Sequence, residues 1–130
     1  MSPDRLVQKA LEARKESYSP YSKFAVGAAL ETEDGTVVTG TNIENASYGL
    51  SICAERTALV KAVSQGMRKF KRMAIMADMP EPAAPCGMCR QMLVEFAPDL
   101  ELILANLKGQ TKIVKLNELL PMAFRLEITI

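Results

Sequence analysis

The apolar residues of this chain recur at two spacings, and the change from one spacing to the other predicts alternating helices and strands. Near the beginning, Leu6, Ala10 and Leu11 are separated by helical intervals. Ser2 and Pro3 precede them and suit the N-cap and the first position of a helix. We therefore expect a first helix that runs to about residue 17.

Two segments in the first third of the chain predict a hairpin. Residues 24–33 and 36–42 have the composition of strands and flank the dipeptide Asp34-Gly35. This dipeptide suits the positive backbone angles of a tight turn, so the two strands are predicted to pair.

The remaining segments continue the alternation. In chain order we predict a helix over residues 53–64, a strand over 70–78, a helix over 86–96, strands over 100–106 and 111–115, and a helical turn over 117–124 that Pro121 interrupts. The resulting order, α-β-β-α-β-α-β-β, is typical of a three-layer α/β fold.

Length and charge narrow the function classes. The chain has 130 residues and a net charge of +1 at pH 7. These values exclude two full domains and give no electrostatic reason to expect nucleic acid or a membrane as a partner. No apolar run approaches the roughly 20 residues of a membrane span, and the first residues lack the basic and apolar regions of a signal peptide. A cytoplasmic protein is expected.

Two counts exclude several mechanisms at once, because the chain has three cysteines and no histidine. Without histidine, neither Ser-His-Asp nor Cys-His catalysis is possible within one chain, and carboxylates become the leading candidates for general acids and bases. The odd number of cysteines argues against a disulfide framework. It leaves inert core thiols, a redox pair or metal ligands.

The cysteines lie where two helices are predicted to begin. Cys53 opens one helix, and Cys86 and Cys89 open the other with a spacing of about one turn. Helix N-termini favour thiolates, which are the form that zinc binds. A closed structural zinc site takes four Cys or His ligands and this chain has three, so the predicted site keeps a position open for water or substrate. Glu55, two residues after Cys53, is placed to carry protons for water at that position.

Other interpretations of these residues stay open. A Cys-x-x-Cys pair alone fits a cytosolic redox dithiol as well as a zinc site, and metal content separates the two. If Glu55 itself ligated zinc, the site would be closed and non-catalytic. The combination of Cys53 and Glu55 with the downstream pair resembles the motif of zinc-dependent nucleobase deaminases, and this resemblance favours a zinc site because a redox pair needs neither Cys53 nor Glu55.

A basic cluster raises the question of RNA as a substrate. Arg68, Lys69, Lys71 and Arg72 could steer a polynucleotide to a deaminase that flips a base. The low net charge and the single interleaved aromatic, Phe70, favour a solvated edge instead.

Five segments together resemble the small, homotetrameric class of cytidine deaminase and extend over nearly the whole chain. They are residues 18–27 (YSPYSKFAVG), 42–48 (NIENASY), 53–58 (CAERTA), 85–91 (PCGMCRQ) and 119–124 (LLPMAF). The resemblance implies a single domain, 1–130, built as a three-layer α-β-α sandwich around a five-stranded mixed sheet. It also implies hydrolytic deamination of cytidine and 2′-deoxycytidine to uridine and 2′-deoxyuridine with release of ammonia, a reaction of pyrimidine salvage.

The same resemblance implies roles for individual residues. Cys53, Cys86 and Cys89 would hold one zinc ion per chain, and Glu55 would shuttle protons. Substrate contacts would come from Asn42 and Glu44 at the ribose hydroxyls, Phe24 beside the pyrimidine, Ala54 in the pocket, and Ala46, Tyr48 and Phe124, through which neighbouring subunits complete a pocket. The implied partners are a small nucleoside and further copies of the chain in a homotetramer with shared active sites, and no nucleic acid.

Charge considerations single out two arginines. Three thiolates leave a formal negative charge on a zinc site, which makes bound water less acidic than it is with neutral ligands. Arg56 and Arg90, each next to a ligand motif, are predicted to draw charge from the sulfurs, with Arg56 as the first choice. The nearest rival function is another zinc deaminase, acting on an aminonucleoside antibiotic such as blasticidin S or on a polynucleotide.

Overall fold

The computed structural model describes residues 1–126, and residues 127–130, the end of the predicted domain, lie outside the described part. The regular elements follow the predicted order. They are α1 (Pro3–Arg14), β1 (Val26–Thr32), β2 (Val37–Thr41), a short 3₁₀ helix (Tyr48–Leu50), α2 (Ala54–Ser64), β3 (Phe70–Ala77), α3 (Gly87–Val94), β4 (Glu101–Ala105), β5 (Thr111–Lys115) and α4 (Leu116–Leu119). None of the helices within residues 1–126 has the length and apolar character needed to cross a membrane.

The five strands form one mixed sheet in the order β2-β1-β3-β4-β5. β1 runs antiparallel to β2 and to β3, β3 and β4 are parallel, and β5 is antiparallel to β4. Parallel neighbours need a crossover connection, and α3 supplies it between β3 and β4. The predicted five-stranded mixed sheet is confirmed.

Both faces of the sheet are buried, which gives the fold its three layers. Successive residues of a strand point to opposite faces. Along β1, Ala28 and Leu30 pack in the cluster that includes α2 and α3, whereas Ala29 packs in the cluster that includes α1. The fully buried Leu6 and Ala10 of α1 cover that second face. The predicted three-layer α-β-α arrangement is therefore confirmed.

α2 packs closely against β2 because Gly40 has no side chain. A Cβ atom at this position would lie 2.4 Å from the nitrogen of Ala58 and 2.7 Å from the oxygen of Ala54. This close approach fixes the first turns of α2, and with them Cys53 at its N-cap, relative to the sheet.

Two helix ends differ from the predicted ones. The first helix ends at Arg14 and not near residue 17, since Tyr18 instead pairs with Ile43 in an isolated β-bridge. The last helix, α4, ends at Leu119 and does not continue past Pro121, because the helical conformation is disfavoured for the residue before a proline.

Half of the basic cluster makes contacts within the fold. Arg72 lies across β1 and β3 from the buried Glu31, with its Nε 2.8 Å from Glu31 Oε1. Arg68 donates to the carbonyls of Val63 and Met67 at the end of α2. Two of the four cations are therefore structural, and the absence of a nucleic-acid surface here stays a prediction.

Asn106, directly after β4, ties two loops together. It is buried, and its Nδ2 donates to the carbonyl of Met79 at 3.1 Å, to that of Pro80 at 3.3 Å and to Gln110 Oε1 at 2.7 Å. Its Oδ1 accepts the backbone N–H groups of Lys108 and Gln110. The turn between β4 and β5 is thus held against the loop that leads from β3 to α3.

Candidate metal centre and adjoining cavity

Three thiols from the beginnings of two helices meet at one point. Cys53 is the N-cap of α2, Cys86 is the N-cap of α3, and Cys89 lies in the first turn of α3. The Sγ of Cys86 is 3.9 Å from that of Cys53 and 3.4 Å from that of Cys89. All three Sγ atoms lie within 4.8 Å of one another.

The thiol triangle, Cys53, Cys86 and Cys89, has the dimensions of a zinc site. Tetrahedral zinc with Zn–S bonds of about 2.3 Å places its sulfurs about 3.8 Å apart. Glu55 is not a member of the group that the structure places within reach of one ion. Three protein ligands and a free position are the pattern of a catalytic zinc site, so the residues fit the predicted metal.

The thiols differ in their affinity for protons. A hydrogen bond from Cys89 lowers the pKa of Cys53 to about 5 against the opposing effect of burial, and the Arg56 guanidinium beside it adds to the lowering. The same Cys53–Cys89 contact, together with burial, raises the pKa of Cys89. Three thiolates this close repel one another, so a bound cation is what would let all three ionise together.

Glu55 is a buried carboxylic acid next to the thiol triangle. It lies in the first turn of α2 and is 6% exposed. Burial raises its pKa to about 7. A carboxyl group that exchanges its proton near neutral pH is suited to act as both general base and general acid.

The two predicted arginines are placed differently. Arg56 lies beside the thiols and lowers the pKa of Cys53, as a residue that draws charge from the sulfurs would. Arg90 instead donates to the carbonyls of Pro85 at 2.7 Å and Leu119 at 2.8 Å. It joins the beginning of α3 to the end of α4, and its predicted effect on the sulfurs stays a prediction.

A cavity of about 340 Å³ adjoins the thiol triangle. Six of the predicted site residues line it: Phe24, Asn42, Glu44, Cys53, Ala54 and Glu55. Its volume lies at the lower end of the range for small-molecule sites. The structure therefore brings one metal ligand, the buried acid and three of the predicted base and ribose contacts to one small pocket.

Asn42 and Glu44 make hydrogen bonds to the segment that precedes β1 and to the first residue of β1. Asn42 Nδ2 donates to the Phe24 carbonyl at 2.7 Å, and its Oδ1 accepts the Val26 N–H at 2.9 Å. Glu44 Oε1 accepts the N–H groups of Tyr21 at 2.9 Å and Ser22 at 3.1 Å. Both residues thus hold a neighbouring loop in addition to facing the cavity.

Three predicted contacts lie outside the cavity. Ala46 is exposed, and Tyr48 and Phe124 are 75% and 71% exposed. The ring of Tyr48 packs edge-on against Tyr21 with 6.0 Å between centroids, and both border a second cavity of about 360 Å³ that shares Glu44 with the first. The predicted role of these three residues in the pockets of neighbouring subunits stays a prediction.

Several lining residues were not predicted from the sequence. Ile75 and Ala77 from β3, and Met79 after it, form an apolar wall of the cavity. Their alternation along a predicted strand that ends near the ligand motifs is the signal that could have identified them. Ser22, which lines the second cavity, was also not predicted. It lies in the segment 18–27 of the resemblance, but a serine in a loop gives no signal of a functional role.

Comparisons with known proteins agree on one family. Residues 1–104 match the family described as the cytidine and deoxycytidylate deaminase zinc-binding region. A cytidine deaminase of Halalkalibacterium halodurans is 50% identical over 128 residues, covering 98% of this chain and 97% of the relative. A cytidine deaminase of Sporosarcina psychrophila is 48% identical and covers 98% of this chain and 94% of the relative.

The similarity extends to a solved structure. The crystal structure of cytidine deaminase from Burkholderia pseudomallei superposes with a TM-score of 0.94 at 47% identity. The superposition covers 95% of this chain and 100% of the other. The likeness therefore extends over nearly the whole of both chains.

Proposed function

The chain belongs to the cytidine and deoxycytidylate deaminase family, and we propose that it catalyses the zinc-dependent hydrolytic deamination of cytidine and 2′-deoxycytidine. The products are uridine or 2′-deoxyuridine and ammonia, as in pyrimidine salvage. Residues 1–130 would form a single domain that works in the cytoplasm on free nucleosides, without nucleic acid as a partner.

One observation carries this proposal: a single small cavity is lined both by residues that could catalyse the reaction and by residues that could bind the nucleoside. Cys53 and Glu55 supply a metal ligand and a buried acid, and Phe24 supplies an aromatic ring for the base. Among the described lining residues there is no Lys or Arg, whereas there are two carboxylates. This lining supports an uncharged nucleoside as the substrate in preference to its monophosphate.

The thiol triangle would hold the zinc ion, which when bound supplies a Lewis acid that activates water. Glu55 would take a proton from the attacking water and deliver it to N3 of the cytosine as the water oxygen joins C4. It would then take the remaining proton of that oxygen and pass it to the amino nitrogen, so that the C4–N bond breaks, ammonia leaves and a C4 carbonyl forms, while N3 keeps its proton as in uracil. Support for this role comes from its burial in the lining of the same cavity as Cys53.

The remaining roles are positional. Glu44 would accept a hydrogen bond from a ribose hydroxyl with a carboxylate that the loop already orients. Asn42 keeps one amide hydrogen beyond its bond to Phe24, which would serve the ribose as well. Ala54 would line the base site, and Arg56 would draw charge from the thiolates.

We propose further that the chain forms a homotetramer in which subunits share active sites. Support comes from the large apolar side chains left exposed beside the cavity mouth, Tyr21 and Tyr48, and from exposed Phe124 and Leu50. Light scattering at the assay concentration measures the mass of the active species. A fully active monomer of 14.3 kDa would contradict the tetramer.

Sharing of sites has its own test. Glu55→Gln subunits keep Tyr48, and Tyr48→Ala subunits keep Glu55, so mixing the two after dissociation builds sites with both residues intact. If subunits share active sites, the activity per Glu55-containing subunit should be higher in the mixture than in Tyr48→Ala protein alone. No rise would show that each subunit uses its own Tyr48.

The activity is tested by the loss of cytosine absorbance on adding zinc-replete protein to cytidine, 2′-deoxycytidine, 2′-deoxycytidylate, blasticidin S and a cytosine-containing oligonucleotide. Zinc is quantified on the same sample, and Glu55→Gln protein is the control. Turnover of the two free nucleosides, with about one zinc per chain, is the expected result. Turnover confined to the antibiotic or to the oligonucleotide would overturn the proposed substrate.

A further inference from the structure

We propose that Ser22 is a positioning residue for the substrate, because one hydroxyl holds both the Glu44 carboxylate and the backbone of Phe24. Ser22 O–H donates to Glu44 Oε2, and the same Oγ accepts the backbone N–H of Phe24 at 3.0 Å. The inference rests on the proposed function, in which Glu44 contacts the ribose and Phe24 the pyrimidine.

Three donors from one turn converge on the Glu44 carboxylate. The N–H groups of Tyr21 and Ser22 bind Oε1, and the Ser22 hydroxyl binds Oε2. With both oxygens engaged from the loop side, the carboxylate has a fixed orientation and keeps one acceptor position, on Oε2, for a further donor. The Ser22 hydrogen bond also holds the pKa of Glu44 below its ordinary value, which keeps it an acceptor.

The Phe24 side of the link spans a constrained residue. Lys23, between Ser22 and Phe24, has a φ of 60° in the left-handed region, which is uncommon for a residue with a side chain. Its N–H donates to the Ser19 carbonyl at 3.0 Å, and the bond from Phe24 to Ser22 Oγ closes over it. These two hydrogen bonds stabilise the left-handed conformation of Lys23. That conformation sets the backbone direction at Phe24, which lines the cavity.

The base contact and the sugar contact are therefore joined through a single oxygen atom. Loss of the Ser22 hydroxyl should loosen Glu44 and Phe24 together. The loss should be felt most by a substrate that uses both contacts, and less by one that has no 3′-hydroxyl for Glu44. A residue that only stabilises the fold would affect both substrates equally.

The kinetic test compares cytidine with 2′,3′-dideoxycytidine on Ser22→Ala and Ser22→Thr proteins. Ser22→Ala should lower kcat/KM for cytidine about tenfold, mainly through KM, and lower that for the dideoxy substrate less than about threefold. Ser22→Thr keeps the hydroxyl and should restore most of the loss. Equal losses on both substrates would overturn the proposal.

Ser19→Ala is the matched control, because Ser19 lies in the same loop and its hydroxyl accepts from Ser17 without contacting Glu44 or Phe24. This variant should leave the ratio of the two substrates unchanged. A shift of that ratio as large as the one in Ser22→Ala would show a general effect of the loop and would contradict a specific role for Ser22.

A second readout does not depend on turnover. Hydrogen exchange at the Phe24 amide should accelerate in Ser22→Ala, and also in Glu44→Gln if the carboxylate holds the hydroxyl, but not in Ser22→Thr. If this pattern holds while neither nucleoside is deaminated by the unaltered protein, the proposed function fails and with it the role of Ser22 in binding. If deamination is normal and the Phe24 amide does not respond, the positioning link alone is wrong.

Discussion

The cavity floor and the cavity mouth are built in opposite ways. The floor, Cys53 and Glu55, comes from the beginning of α2, beside Cys89 in the first turn of α3. Both helices pack on the central sheet, and Glu55 and Cys89 are buried. The mouth, Tyr21 and Tyr48 of the adjoining second cavity, comes from a loop and from the short 3₁₀ helix, and both rings are at least half exposed. The chemical groups are thus fixed by the hydrophobic core, whereas the recognition groups depend on loops and exposed rings.

This difference distinguishes the groups that a single chain holds in place by itself from those that need a neighbouring chain to cover them. Helix beginnings anchored in a core hold thiols and a carboxyl in place without help from outside. Exposed aromatic rings at a mouth exclude water from a ligand only when something covers them. We therefore expect changes at the floor to abolish the reaction and changes at the mouth to weaken substrate binding.

Removal of the metal should have the largest effect. Dialysis against a chelator, with a reductant to protect the thiols, should lower activity to below about 1%, and added zinc should restore it. Cys89→Ser protein should retain little zinc and should not recover. Full activity in protein that is shown to be metal-free by elemental analysis would refute the assignment of the thiol triangle.

Loss of the buried acid comes next. Glu55→Gln should lower kcat by about 10³-fold, within the range for general acid–base groups, because the amide cannot accept or return the proton. Zinc content should stay at that of the unaltered protein, since Glu55 is not in the ligand group. A variant that binds zinc and substrate normally but keeps most of its turnover would exclude Glu55 as the proton carrier.

A change outside the site should disturb the floor through packing. Gly40→Ala forces a Cβ against the backbone of α2, where the nearest atom is 2.4 Å away, and should lower the free energy of unfolding by about 3 kcal/mol. Gly49→Ala is the matched control, because its Cβ meets no atom within 4 Å. It should change stability by less than about 0.5 kcal/mol in the same denaturant titration. Similar losses in both variants would contradict this account of Gly40.

The mouth should show the smallest effect. Tyr48→Ala should lower kcat/KM for cytidine about tenfold, chiefly by raising KM, with kcat and zinc content nearly unchanged. Ile113→Ala, which removes another exposed apolar side chain on the edge strand β5, is the control and should not alter KM. A fall in kcat as large as that of Glu55→Gln would remove the distinction between floor and mouth.

The order of helices and strands was predictable because it depends on local periodicity and on turn residues. Gly35 takes a φ of 92° in the predicted hairpin turn, as the Asp-Gly pair indicates. The end of the first helix was not predictable. It is set by the pairing of Tyr18 with Ile43, a contact between distant segments that no local pattern reveals.

The same division holds for the site. The thiol triangle and Glu55 follow from residue type and spacing, since few chemistries use a lone Cys, a Glu two residues on and a Cys-x-x-Cys pair. Glu44 has no such signal and was singled out only by the family resemblance. The wall residues Ile75 and Met79 were missed, because their role depends on which loops meet at the end of β3.

The hydrogen bonds of Asn106 give the turn between β4 and β5 an unexpected constraint. Surface turns of this kind ordinarily tolerate insertions and changes of length. Here the amide reaches the carbonyls of Met79 and Pro80, and Met79 is part of the cavity wall. Lengthening this turn should therefore alter the shape of the substrate pocket, so that the turn is a poor place for a tag or a graft.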